Sequence, residues 1–324
     1  MMLHDLHGRR FEYLRLSLTD VCNFRCSYCL PGGYRKPLHA DPLLTPAEIG
    51  CLVRAFAWLG VWKVRLTGGE PSVRPEFDEI AACVSAVPGV DRLAVTTNGY
   101  RLVERAQRWF DLGIHAINVS MDSLRSERFR AITGHDRLSE IQAGIDACKR
   151  AGFESIKVNT VLLKGLNDDE LDDFIAFVRD QDIALRFIEL MRTNDNPEFF
   201  ERHHLPARTV TDRLQALGWQ PVVRAAGAGP AVEYAHVESS GRIGIIAPYA
   251  KDFCSTCNRL RVSATGKLHL CLFGQGGHDL RPWLQGDTEA LARHVSGLLA
   301  MKAPSHDLLN GNSGATPHLA SIGG

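Results

Sequence analysis

Short apolar runs of strand length alternate with amphipathic stretches through the first two thirds of the chain, and this alternation leaves few folds open. Strand candidates lie at 13–18, 62–66, 93–97, 116–120, 155–161 and 184–190; helical periodicity falls near 46–59, 75–86, 101–112, 137–151 and 168–180. Thr45 reads as an N-cap, and Pro46 and Pro75 suit first-turn positions. Strand–helix units in series build a parallel sheet, so the expected fold is α/β, an incomplete (β/α)6 barrel of the TIM type. After about residue 220 the rhythm changes. Short strands at 232–237, 242–246, 259–262 and 267–270 and one helix near 286–300 suggest a small C-terminal α+β unit. The division expected is therefore 1–220 for the partial barrel and 221–324 for the smaller unit, with 303–324 irregular and rich in Gly, Ser, Asn and Pro.

The chain's opening lacks the apolar stretch of a secretory signal, and no run reaches membrane-spanning length, so a cytoplasmic protein without a membrane partner is expected. The formal net charge is zero, which argues against nucleic-acid binding by bulk charge. Nine cysteines then need a reason, because the cytosol keeps thiols reduced. Cys51, Cys83 and Cys148 lie singly in helical stretches and read as core. The other six fall into two groups, which suggests metal.

Cys22, Cys26 and Cys29 form a CxxxCxxC run after the first strand. Thiolates are the usual ligands of iron–sulfur clusters, and three of them leave one iron of a four-iron cluster open. Tyr28, just before the last cysteine, is placed to cover such a cluster. Zinc sites pair CxxC units or add histidines, and no histidine is near. Cys254, Cys257 and Cys271 form the second group, CxxC plus one distant cysteine. That spacing alone leaves two readings open: zinc, with His269 or His278 as fourth ligand, or a second cluster with one free iron.

Strand side chains alternate faces. With Val64 and Leu66 outward, Lys63, Arg65 and Thr67 face the barrel interior; the same parity brings in Arg15, Ser17, Asn118, Ser120, Lys157 and Asn159, with Arg186 on the sixth strand. Arg259 and Arg261 add cations beside the second cysteine group. Buried cations need partners. Glu70 and Asp122 are nearby but too few, so the interior is expected to receive a polyanion, a triphosphate in particular. Surface exposure or carboxylate pairing of these residues is the alternative. Barrel active sites lie at the C-terminal ends of the strands, where the triad, Gly68-Gly69-Glu70-Pro71, Thr96-Thr97-Asn98-Gly99, Ser120-Met121-Asp122 and Glu189-Leu190-Met191 all fall.

The triad with its aromatic, together with the GGEP turn, resembles the radical S-adenosylmethionine (SAM) superfamily. LRLSLTDVCNFRCSYC, KVRLTGGEP, TTNGY, NVSMDSL, IKVN, RFIELM, CSTCNRLRVSATGKLHLCLF and the terminal Gly323-Gly324 together resemble the GTP 3′,8-cyclase family of molybdenum-cofactor biosynthesis. Leu30 and Ser72-Val73 are mild departures. The resemblance implies two 4Fe-4S clusters, on Cys22, Cys26, Cys29 and on Cys254, Cys257, Cys271, and SAM bound by the first. It implies SAM contacts from Tyr28, Gly69, Ser120 and Met191, with Glu70 in the same turn. It implies GTP contacts from Arg15, Arg65, Thr96, Lys157, Arg259 and Arg261; strand parity adds Lys63 and Arg186. Gly323 and Gly324 are expected to take part in catalysis. The family reaction that the resemblance implies has a radical made from SAM take hydrogen from C3′ of GTP, after which the ribose closes onto guanine C8. The implied partners are a reduced flavodoxin or ferredoxin and the downstream cyclic pyranopterin monophosphate synthase; a homodimer is a further expectation. The rival readings are a radical SAM peptide maturase with an auxiliary cluster and a non-catalytic metal- or RNA-binding module.

Overall fold

The computed structural model describes residues 2–39, 41–223, 227–316 and 318–323, so Gly324 lies outside the described residues. Six parallel strands occur in chain order: β1 (Tyr13–Ser17), β2 (Lys63–Thr67), β3 (Arg92–Thr97), β4 (Ile114–Ser120), β5 (Ser155–Leu162) and β6 (Ala184–Glu189). Their outward apolar residues, Leu14, Val64, Leu66, Val95, Ile117 and Val158 among them, are fully buried. They lie beneath helices α1 (Pro46–Trp58), α2 (Phe77–Ser85), α3 (Leu102–Asp111), α4 (Ser126–Thr133), α5 (Leu138–Ala151), α6 (Leu171–Arg179), α7 (Pro197–His203) and α8 (Ala207–Ala216). Helix α1 starts on the expected cap: Thr45 and Glu48 form a capping box, and Pro46 opens the first turn. Pro75 does otherwise. It sits in the turn before α2, whose N-cap is Glu76, because a short 3-10 segment at Pro71–Val73 intervenes. Cys148 is buried as expected, while Cys51 and Cys83 are half-buried on α1 and α2.

The remaining elements are β7 (Gln220–Pro221), β8 (Val232–Ala235), β9 (Arg242–Ile246), β10 (Arg259–Val262), β11 (Lys267–His269), β12 (His278–Asp279) and α9 (Thr288–Leu298). They extend the sheet at both edges, in the order β12-β11-β10-β1-β2-β3-β4-β5-β6-β9-β8-β7. Strand β10 runs parallel to β1, and β9 runs parallel to β6. The strands after residue 220 thus carry the curved inner face of the barrel outward on both sides. No described helix is long and apolar enough to cross a membrane.

Candidate active site

The loop after β1 carries Cys22, Cys26 and Cys29 to the C-terminal end of the barrel, where all three line one cavity. Two backbone bonds strap this loop to the end of α4: Arg25 N–H to Thr133 O at 3.1 Å and Ser27 N–H to Ile132 O at 2.8 Å. Phe24 anchors it by stacking on His135, 4.8 Å away. Burial pushes the Cys22 thiol up to about 11 and Cys29 to about 12, and Cys26 well above the ordinary range. Such thiols ionise only with help, and the positive charge of an iron–sulfur cluster supplies it; three thiols on one cavity wall fit that group.

The turn after β2 braces this loop from beneath. Gly69 N–H donates to Thr19 O and Glu70 N–H to Val21 O, each at 2.8 Å. A Cβ on Gly68 would lie 2.3 Å from Thr19 O, and one on Gly69 only 2.4 Å from Val21 O, so only glycine permits this approach. Glu70, expected as a partner for the cations, does not pair with them. Its carboxylate is fully buried and accepts from Ser72 N (3.1 Å), Thr97 Oγ1 (2.9 Å) and Asn98 N (2.6 Å), tying the loops after β2 and β3 together. Asp122 likewise does not pair with the cations. It accepts from Tyr28 Oη at 2.8 Å and from Val161 N at 2.9 Å, and burial lifts its carboxyl to about 6. Gly69, Ser120, Met191 and Thr96 line the triad cavity. Thr96, expected at the nucleotide, meets the cation set through Arg65, whose Nη1 lies 3.4 Å from its hydroxyl.

A second cavity lies deeper in the barrel. Strand register builds it. On β10, β1 and β2 the residues Arg259, Tyr13 and Lys63 stand in one row and Arg261, Arg15 and Arg65 in the next. Lys157 and Arg186 face the same space from β5 and β6, with Asn118 and Asn159. No Asp or Glu lines this cavity among the described residues; Glu233, 3.5 Å from Arg186, is the carboxylate paired at its edge. The buried Nε atoms of Arg186, Arg259 and Arg261 and the Oδ1 atoms of Asn118 and Asn159 have no hydrogen-bond partner. The crowding shifts the pKa values of the groups that line the cavity. Burial, then Arg186, Arg65 and Lys63, push Lys157 down to about 7. Burial, then Arg15 and Arg259, push Arg261 down to about 9. Burial alone would raise Tyr13, but Arg65, Arg15 and Lys63 outweigh it and pull the phenol down to about 7. Orphaned donors amid unneutralised positive charge fit a polyanionic ligand.

Cys254, Cys257 and Cys271 line this same cavity, on the loops flanking β10 and β11. Here burial is outweighed at Cys257 by Arg259, Lys302 and Arg261, and the thiol falls to about 7. Among the described residues, no three His, Cys, Asp or Glu side chains close on a single ion. A four-iron cluster spreads its thiolates over separate corners and does not need them to close on one ion.

The chain's end enters between these features. The Arg15 guanidinium donates to Gly323 O from Nε and Nη2. Asn159, Ile188 and Met191 line both cavities, so the two lie side by side. Sequence reasoning missed Tyr13 and Lys302 in the second cavity. Tyr13 shares the parity of Arg15 and was legible on that ground; Lys302 follows α9 in irregular chain, where no periodicity marks it.

Two family models match the chain: the Radical SAM superfamily over residues 16–178 and Molybdenum Cofactor Synthesis C over residues 183–308. A GTP 3′,8-cyclase of Stenotrophomonas maltophilia is 56% identical over 325 residues, covering 99% of each chain. One from Aeromonas hydrophila is 52% identical, covering 99% of this chain and 96% of its own. Among solved structures, Streptococcus suis SuiB bound to S-adenosylmethionine has a TM-score of 0.62 at 13% identity, covering 96% of this chain and 76% of that one. At that identity the likeness concerns the fold.

Proposed function

The chain belongs to the GTP 3′,8-cyclase family of radical SAM enzymes, and from that premise we propose how its residues divide the work. The reaction converts GTP into (8S)-3′,8-cyclo-7,8-dihydroguanosine 5′-triphosphate, the first step of molybdenum-cofactor biosynthesis. In the proposed division, Cys22, Cys26 and Cys29 hold a four-iron cluster, with SAM between Tyr28, Gly69, Ser120 and Met191. Cys254, Cys257 and Cys271 hold a second cluster, against which the guanine rests. Arg15, Lys63, Arg65, Lys157, Arg186, Arg259 and Arg261 take the triphosphate; Thr96 acts on it through Arg65. When bound, SAM and the first cluster supply the one-electron chemistry that removes hydrogen from C3′. The protein's own part is positioning and the exclusion of water.

One observation carries this reading: Asn159, Ile188 and Met191 form a wall common to the triad cavity and the cation cavity. A ribose placed there has its base toward the second cysteine set, its phosphates among the cations and its C3′ toward the first set. A peptide substrate gives no comparable reason for so many cations. A reduced carrier of the flavodoxin or ferredoxin type supplies the electron, and cyclic pyranopterin monophosphate synthase takes the product, both in the cytoplasm. Anaerobic incubation with SAM, a chemical reductant and each nucleoside triphosphate in turn, followed by mass spectrometry, tests the proposal. Cyclised product from GTP alone is expected; cyclisation of ATP at a similar rate contradicts the placement of the base.

A further inference from the structure

Lys302 lies among the cations of the second cavity but is held differently from them. It is buried, and its Nζ donates to the carbonyl of Leu270, the residue before Cys271. The same ammonium sits 5.3 Å from the centre of the Phe11 ring. No carboxylate pairs with it among the described residues; it lines the second cavity together with Cys257 and Cys271. A buried ammonium with only a carbonyl and an aromatic face for company lacks a counter-charge.

The chain spends other interactions on holding this segment still. Arg9 and Asp5 form a buried ion pair with a 2.6 Å contact. The remaining donors of Arg9 bind Cys254 O at 3.2 Å, Pro304 O at 2.7 Å and Ala303 O at 2.7 Å. One guanidinium thus fastens the stretch directly after Lys302 to the loop that carries the first cysteine of the second set. The strand-borne arginines face the open cavity, whereas Lys302 is fixed to the cysteine loops themselves.

Given the two-cluster reading above, we infer that Lys302 is a positioning residue for the second cluster, a fixed counter-charge that sets how readily this cluster accepts an electron, with Arg9 holding it in place. Iron–sulfur potentials follow net charge and hydrogen bonding around the sulfurs. Reduction adds negative charge, so a fixed cation alongside favours the reduced form. Removing it disfavours reduction and weakens retention of the thiolate-ligated cluster.

The test uses full-length Cys26→Ala protein, reconstituted anaerobically so that the second cluster is observed without the first. About four irons per chain are expected in this background. Markedly fewer overturn the two-cluster reading, and this inference with it. With the irons present, adding Lys302→Met is expected to move the midpoint potential, followed by electron paramagnetic resonance during redox titration, to a more negative value. Adding Lys302→Arg is expected to leave it near the parent value. Lys302→Gln serves as a second neutral variant, and thermal melts show that each variant is folded. Loss of iron from both folded neutral variants, with retention in Lys302→Arg, also supports the assignment. An unchanged potential with full iron in either folded neutral variant overturns it, as does an Arg variant that behaves like the neutral ones.

Discussion

The carbonyl of Gly323 accepts two hydrogen bonds from the Arg15 guanidinium, at 3.0 Å from Nε and 2.7 Å from Nη2, joining residues 308 positions apart. Gly323 sits at φ +65°, and a Cβ there would lie 2.2 Å from Thr67 Cγ2. The tail therefore threads a gap that only glycine passes, and it occupies one of the cations expected at the nucleotide. Deleting the last two residues is expected to spare iron content and most GTP affinity. Formation of cyclised product should fall at least about tenfold, a barrier change of roughly 1.4 kcal/mol. Gly323→Ala should behave similarly, since it adds a clash and a left-handed residue with a side chain. Product formation at the parent rate by the truncated enzyme would count decisively against a role for the tail.

The two cysteine sets should be separable. Cys26→Ala is expected to abolish SAM cleavage, because the set that binds SAM has lost a ligand. Cys257→Ala is expected to retain part of the SAM cleavage and to lose cyclised product. Quantifying 5′-deoxyadenosine and cyclised nucleotide in the same reaction distinguishes the two. Undiminished cyclisation by Cys257→Ala would remove the second set from substrate binding.

What could be read from the sequence, and what could not, follows from range. The six barrel strands are apolar runs whose inward parity is local, so Lys63, Arg65, Lys157 and Arg186 were legible as cavity residues. The pairing of β10 with β1 is not local; nothing in either segment announces that Arg261 stands beside Arg15. Helices α4, α7 and α8 are polar and short, and they carry too few apolar repeats to stand out. Glu70 misled for a related reason. A carboxylate next to cations invites pairing, but three donors from the loops after β2 and β3 had already taken it.

Arg65 ties the cation cavity together. Its Nε contacts Tyr13 Oη at 2.5 Å and its Nη1 donates to Val95 O at 3.0 Å. Arg65→Ala should weaken GTP binding by roughly 1.5–3 kcal/mol, the range for a charged hydrogen bond. Equilibrium dialysis with the clusters intact measures this. Unchanged affinity in a folded variant would show that the triphosphate lies elsewhere.

The cavity also adjusts its own charge, and that has a measurable consequence. Lys157 and Tyr13 both titrate near 7, one pushed down by burial and neighbouring cations, the other pulled down by Arg65, Arg15 and Lys63 against its burial. At pH 8 without nucleotide, Lys157 is therefore mostly neutral and Tyr13 mostly phenolate. An arriving triphosphate favours the ammonium and disfavours the phenolate, so both pKa values rise in the complex. A higher pKa in the complex than in the free protein means that binding takes up protons above the free value. Affinity is then full below about pH 7 and declines as the pH rises beyond it. Titration calorimetry at pH 8, in buffers of different protonation enthalpy, should show uptake of up to roughly two protons per GTP, one for each group. Lys157→Met and Tyr13→Phe should each reduce that uptake. Binding without proton uptake at pH 8, or uptake that neither substitution changes, would mean that these two groups do not balance the charge of the bound nucleotide.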